Sequence, residues 1–203
     1  MNLTDLATAL KNSLHASARL IEGSNTSYDW SSFISLAVQH FSQYKPRTLV
    51  GSVTLVPGQT EYDFPADFVE FKYSLWGQEA LAKLKPWECG YPTKMPRAST
   101  LHGTPSKLSL SFPPSGEMIN ALGSIYSFYY YAEHQVDAES STIPGQYEKD
   151  LLLAAQAEVM KQISFDKVGK VTAKDPYSGM ARTAHPSALY ELLMKQFKDN
   201  LCG

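Results

Sequence analysis

Four carboxylates crowd one short stretch, Glu61, Asp63, Asp67 and Glu70. Paired carboxylates are the groups from which glycoside hydrolysis is built, one as general acid and the other as base or nucleophile at a set separation. Glu61 and Asp63 are two apart, so on a strand they share a face. The wet face of any alternating strand looks the same, and Asp67, two residues after Pro65, suits a bend in which its side chain bonds its own backbone. The solvated, turn-making reading is the simpler one. The remaining reactive side chains are scattered. His15, His40, His102, His134 and His185 stand alone, with no His-Glu-x-x-His and no second ligand at helical or hairpin spacing. His40 lies off the apolar stripe of its segment and reads as solvated. Cys89 and Cys202 share no close spacing, which favours reduced thiols over a disulfide framework and builds no metal motif. There is no Gly-x-Ser-x-Gly elbow and no Gly-x-x-x-x-Gly-Lys phosphate loop. The residues therefore assign no catalytic side chain, no cofactor and no metal.

Charge excludes further classes. The chain of 203 residues has a formal net charge of -2, which gives no general attraction to nucleic acid or to anionic membranes. Residues 161–203 carry seven Lys or Arg against four acids, so the tail is mildly basic and the body acidic. The lysines from Lys161 to Lys174 could reach DNA phosphates, but no base-reading motif accompanies them, and a solvated or partner-facing arm is the expected role. No stretch approaches the eighteen apolar residues of a membrane span, and no secretion signal is read at the N-terminus. A bacterial cytoplasm, or a particle assembled in one, fits this composition.

The elements that would position these groups are legible from periodicity. A helix is expected over residues 3–22, with Leu3, Leu6, Leu10, Leu14, Ala18 and Ile21 at three- and four-residue steps. A second, over 30–44, carries Trp30, Phe33, Ile34, Ala37, Val38, Phe41 and Tyr44 on one face, with Ser27 or Asp29 as cap and Pro46 as stop. Its five large apolar side chains would contribute roughly 10 kcal/mol of burial before entropy is charged, so it must pack on something. Residues 53–75 alternate with period two around a Pro57-Gly58 turn and a Pro65 break, which predicts a three-stranded antiparallel meander with one wet face. Residues 77–104 are irregular, with Trp87 and Tyr91 expected to pin them to the core. Lys107 to Phe112 alternates as a strand closed by Pro113-Pro114, with Ser115-Gly116 as turn. In 122–131, Tyr126, Phe128 and Tyr130 face one way and Ile125, Tyr129 and Tyr131 the other; such a strand should be covered on both faces, by other elements or by a neighbouring subunit. A third helix opens near Tyr147, runs to about Ile163 and reads as central, since Leu151, Leu152 and Leu153 leave little of its middle polar. Residues 164–185 read as a loop or arm, or as one whose start continues the third helix, and a last helix runs from Pro186 to about Leu201. The sum is an α+β chain, one domain over 1–203, with helices at both ends and a β-rich part over about 49–131.

The phrase Tyr62-Asp63-Phe64-Pro65-Ala66-Asp67-Phe68 after a polar turn resembles the head-to-tail adaptor (connector or gateway) proteins of tailed bacteriophages. The strand closing on Pro113-Pro114, the Tyr-rich strand leading to His134 and the Pro144-to-Tyr147 entry to an Ala-rich helix are similar to the same family, so the resemblance covers nearly the whole chain from the second helix onward. It implies a helical bundle with a small β-domain and a structural virion protein without enzymatic activity. Twelve copies would form a ring docked under the portal, joined to a tail, nozzle or stopper protein, with DNA passing through unread. On this expectation the helical bundle makes the ring. The C-terminal helix and arm (Arg182, Leu193, Lys195, Phe197, Leu201) meet the portal, and Tyr126, Tyr129 and Tyr131 meet a neighbouring subunit or the tail. A tail-terminator or other neck protein one layer lower, and a virion-borne cell-wall hydrolase using Glu61 and Asp63, are the competing expectations.

Overall fold

The computed structural model describes residues 1–14, 29–83, 85, 87, 91–168 and 186–203, the side chains of 166–168 excepted. It has the α+β class expected from the sequence: helices near both ends and small antiparallel sheets between them. The chain divides into two compact units, one made of Met1–Pro46 and His134–Gly203, the other of Arg47–Glu133.

The first unit is helical. It contains α1 (Leu3–Leu14), α2 (Trp30–Tyr44), α5 (Glu148–Val168, entered through a 3-10 turn at Gly145–Tyr147) and α6 (Pro186–Cys202). The part of the first predicted helix beyond Leu14 lies outside the described residues. Leu6, Leu10 and Leu14 are the buried stripe of α1, and Phe33, Ile34, Ala37, Val38 and Phe41 that of α2. Asp29 caps α2 by accepting from the Ser31 amide at 3.1 Å and also contacts the Ser31 hydroxyl, and these two hydrogen bonds hold its carboxyl below the usual carboxylate range. Helix α5 is central, as its composition predicts: Leu151, Ala154, Ala155, Ala157, Val159 and Ile163 are all buried, and the alanines let α1, α2 and α6 approach on different sides. It runs five residues past the expected end at Ile163. Helices α5 and α6 are antiparallel, with Asn200 donating to Asp150 at 2.8 Å at one end and Lys161 lying 5.6 Å from the Tyr190 ring at the other. His40 is not simply solvated. Its Nε2 sits 3.1 Å from a carboxylate oxygen of Glu158, which is only 4 % exposed and is also 3.2 Å from Lys161; a buried carboxylate needs such partners.

The second unit is two three-stranded antiparallel sheets. One orders β1 (Arg47–Thr54), β6 (Ile125–Ala132) and β3 (Glu70–Ser74) with β6 in the middle; the other orders β2 (Glu61–Asp63), β5 (Lys107–Leu110) and β4 (Ala98–Leu101) with β5 in the middle. The expected meander is therefore wrong in its pairing, although its strands and turns are real. Val56 to Gln59 forms the turn, closed by a 3.1 Å bond, with Gly58 at φ 83°, the positive φ that the third position of a type II turn requires. The strands it separates go to different sheets because each finds its partner far along the chain: β1 and β3 both pair with β6, and β2 pairs with β5. Short helices α3 (Gln78–Lys83) and α4 (Gly116–Leu122) complete the unit. Where the sequence reads as a Ser115-Gly116 turn, the Ser115 hydroxyl accepts from Met118 N at 3.2 Å and starts α4, which buries Ile119 and Leu122.

The core of this unit is aromatic. Tyr126, Phe128 and Tyr130 point inward from β6 and pack with Trp76, Tyr62, Leu108 and Leu110. Phe128 lies opposite Gly51 in the β1–β6 register, and a Cβ on Gly51 would come within 2.8 Å of the Phe128 ring; glycine is what lets the ring close onto the neighbouring backbone. Phe64 and Phe68 stack at 3.5 Å between centroids, and the Phe68 amide bonds the Pro65 carbonyl at 3.1 Å. Buried polar tips are satisfied: Trp76 Nε1 donates to the Gly123 carbonyl at 2.8 Å, and Tyr62 Oη lies 3.1 Å from both the Val56 amide and the Gln59 carbonyl. Trp87 is not core, being 80 % exposed with Lys85 5.7 Å from its ring; within the irregular stretch Ala80, Leu81, Met95 and Ala98 pack on the core instead.

Candidate functional site

The carboxylates that suggested hydrolysis are not gathered. Glu61 and Asp63 lie on the exposed face of β2, and Glu61 is 3.3 Å from Lys107 on the neighbouring strand. Glu70 is on β3, in the other sheet. Asp67 accepts from the Tyr130 hydroxyl at 2.8 Å, so its side chain ties the turn to the core strand. Burial, then the bond to Asp67 and its charge, push the Tyr130 phenol up to about 12, against a smaller opposing effect of Arg47. Among the described residues, a cleft of about 590 Å³ beside Tyr91 and Phe112 is lined by one carboxylate, Glu117, with Lys94, and one of about 420 Å³ beside Phe71 by one carboxylate, Glu70, with His102. Neither cleft, among the described residues, brings together the two carboxylates that glycoside hydrolysis requires. Among the described residues no three of His, Cys, Asp and Glu stand together as metal ligands would, and no helix is long and apolar enough to cross a membrane. His15, His185, Cys89 and Arg182 lie outside the described residues; Cys202 is a free, exposed thiol.

The Tyr130–Asp67 pair has a measurable signature. A phenol whose folded value lies above its ordinary 10.0 prefers the protonated form in the fold. The stability it contributes is therefore intact below about pH 10 and is lost as pH rises from there towards 12. Burial also pushes the Tyr126 phenol up, so the two act together. The urea midpoint of the β unit should fall steeply above pH 10, and Tyr130→Phe should flatten but not abolish that fall. An unchanged slope in Tyr130→Phe would show that Asp67 does not hold the phenol.

What the second unit does present is the outer face of its first sheet. Register places Val50 opposite Tyr129 and Tyr129 opposite Tyr73, on the side away from Phe128, and the Tyr73 and Tyr129 rings are 4.8 Å apart. Next to them Tyr131 lies under Lys72, whose Nζ is 4.9 Å from the ring and 3.4 Å from Thr48 Oγ1. Val50 is 59 %, Ile125 62 % and Tyr73 46 % exposed, and Tyr129 and Tyr131 are half-buried. Among the described residues other elements cover the inner face of β6, and the outer face is left half open, the face on which the sequence reading allows a neighbouring subunit. Tyr126, grouped at first with Tyr129 and Tyr131, is buried against Trp76 at 5.6 Å, on the opposite side of the strand from them. Val50, Lys72 and Tyr73 belong to the outward stripe and were not singled out from the sequence; the β1–β6–β3 register is what brings them to Tyr129 and Tyr131.

The C-terminal helix divides in the same way. Phe197 and Leu201 are buried in the helical core, the Phe197 ring 5.9 Å from that of Tyr44, and Leu193 packs on the same core. Lys195 is exposed, as are Glu191, Leu192 and Lys198, so the open side of this helix is polar with Leu192 in it.

No curated protein matches the chain. The family model for the SU10 adaptor protein matches residues 1–193, nearly the full length and both units. With this match over nearly the whole chain, and with helices near both ends of the sequence and small antiparallel sheets in its middle, the chain belongs to the SU10 adaptor protein family, a family of phage head-tail adaptors.

Proposed function

We propose that this protein is a structural component of the virion neck, twelve copies of which form a ring that joins the portal vertex to the tail and lets DNA pass without reading its sequence. The whole chain works as one adaptor, with no cofactor and no chemistry of its own. The observation that carries the reading is the outward stripe Val50, Tyr73, Tyr129 and Tyr131: contiguous, aromatic and half open, it has the composition of a protein-binding patch, since tyrosine supplies large contact area with a polar edge. This stripe meets a neighbouring subunit or the tail. The exposed side of α6, with Lys195, meets the portal together with Arg182; Phe197 and Leu201 act there only by holding the helix.

The test mixes purified protein with portal rings and images the product by negative-stain electron microscopy. Wild type should decorate portals with closed rings. Val50→Glu combined with Tyr129→Glu should abolish ring closure or tail addition while far-UV circular dichroism stays unchanged, and Lys195→Glu should weaken portal decoration with rings intact. If the double variant assembles rings, binds portal and accepts tails like wild type, the sheet face is not the interface.

A further inference from the structure

Each sheet of the β unit ends on two strands, and all of these edges but one carry features that keep a second chain from adding to them. Strand β2 is three residues long with Glu61 and Asp63 exposed, and β4 is four residues long. Strand β3 carries Glu70 and Lys72, and its register with β6 shifts between Phe71 and Tyr73. Short length, charge and a bulge are the usual means by which an edge is blunted. Strand β1 has none of them. It spans eight residues, pairs with β6 without a break, and contains no proline and no charge after Arg47.

Its open side has a definite polarity. The Leu55 amide donates to the Ser124 carbonyl at 2.8 Å, and this pair continues the β1–β6 register from Thr54 and Ile125. Directly opposed antiparallel residues alternate between bonded and non-bonded pairs. Leu49, Gly51 and Val53, at even steps from Leu55, therefore turn their backbone groups to β6. Thr48, Val50, Ser52 and Thr54 turn theirs the other way, and β1 is the outermost strand on that side. All four of these residues are exposed. Another extended backbone is what supplies donors and acceptors at that spacing.

The sequence of β1 identifies the backbone that fits. Thr48-Leu49-Val50-Gly51-Ser52-Val53-Thr54 reads nearly the same from either end. Laid antiparallel on a copy of itself with Gly51 facing Gly51, it opposes Thr48 to Thr54, Leu49 to Val53 and Val50 to Ser52. Each residue with outward backbone groups then meets another such residue, so both bonds of every pair close. The side chains agree with the same register. Leu49 and Val53, which pack on the aromatic core, meet on the inner side, and threonine, valine and serine meet on the outer. A register shifted by one residue would set outward backbone groups against inward ones and leave them unbonded. No charged residue lies in the paired span, so no like charges are brought together.

We propose that the free protein pairs through β1 with a second copy of itself, about a two-fold axis at Gly51. The product is one sheet that runs β3-β6-β1 in one copy and continues β1-β6-β3 in the other. A two-fold contact uses the same patch on both copies and cannot repeat head to tail. In terms of the ring proposed above, the pair is the form in which the subunit waits with its edge hidden, and it comes apart as copies enter the ring.

Sedimentation equilibrium of the full chain without portal, from about 1 to 200 µM, tests the pair over the range in which small interfaces associate. The mass should rise from that of one chain to that of two. Residue-resolved amide exchange reads the register. From dilute to concentrated protein the Thr48, Val50, Ser52 and Thr54 amides should slow by roughly tenfold or more, while Leu49, Gly51 and Val53, bonded within the chain, are slow at both. Val50→Lys with Ser52→Lys sets lysine opposite lysine and should be monomeric, as should Val50→Glu with Ser52→Glu. Mixed, the two variants should form a one-to-one pair, which also shows that both are folded. The proposal is overturned by a chain that stays single or passes directly to larger closed assemblies, by a pair that leaves those four amides fast, or by a lysine variant that pairs like wild type. Portal decoration is scored separately, so rings built without the pair refute this inference alone, and a pair that never builds rings refutes the ring alone.

Discussion

Phe197→Ala should destabilise the helical unit by about 3–5 kcal/mol, the cost of truncating a fully buried aromatic ring and leaving a cavity that neighbours cannot collapse into. The ring is 0 % exposed, lies edge-on to Tyr44 of α2, and shares its core with Met194 and Leu201 of α6 and with α5. The loss should appear in urea unfolding followed by Trp30 fluorescence, in a background where Trp76 and Trp87 are Phe. The contrasting variant is Lys195→Glu on the exposed side of the same helix, which should change stability by no more than about 0.5 kcal/mol. A Phe197→Ala protein that unfolds like wild type yet fails to dock on portals would return Phe197 to the interface and refute the core placement.

Phe128→Ala should cost the β unit a similar amount, about 3–5 kcal/mol. Phe128 sits in the middle of the central strand, 5.7 Å from Phe64, 5.9 Å from Phe71 and about equally far from Tyr126 and Tyr130, with Gly51 beneath its ring. Trp76, buried in the same cluster, is the fluorescent reporter once Trp30 and Trp87 are replaced by Phe. The contact with Gly51 makes the result more specific than a core truncation. Gly51→Ala alone should overpack and destabilise by about 1–3 kcal/mol, whereas in the Phe128→Ala background the added methyl enters vacated space and should cost much less. A double-mutant cycle that came out additive would mean that ring and glycine do not touch.

The helices were legible because their stripes are long and bounded. Asp29 and Pro46 frame α2, and Pro186 opens α6. Individual strands were legible for the same reason, but partnership was not: Val53 and Leu55 alternate identically whether β1 lies beside β2 or beside β6. The pairing is decided by residues some seventy to eighty positions away, Tyr126, Phe128 and Tyr130, which fit against Gly51 and Phe71. Helix α4 was hidden by Ser115-Gly116, a pair that spells a turn as readily as a cap; the signal available was Met118, Ile119 and Leu122 at helical spacing after a serine. For the candidate site, Tyr129 and Tyr131 could be placed on the outer face from alternation alone. Tyr126 could not belong with them, since even and odd positions of one strand face opposite ways. Trp87 misled because bulk and apolarity alone do not say which side of a loop is covered. The resemblance carried by Tyr62 to Phe68 agrees with the family match across 1–193, and the structure gives that phrase a physical content: Tyr62 locks the preceding turn, Phe64 and Phe68 stack, and Asp67 grips Tyr130.

The excursion from Arg47 to Glu133 begins and ends with its two ends in register, Arg47 directly across from Ala132 in the β1–β6 ladder. Closing a flexible loop of that length would cost roughly 4 kcal/mol of chain entropy. Once the ladder has zipped, the cost has already been met inside the inserted unit. The helices on either side then experience the whole insertion as a tight hairpin, and α2 and α5 can find each other as if they were near neighbours in sequence.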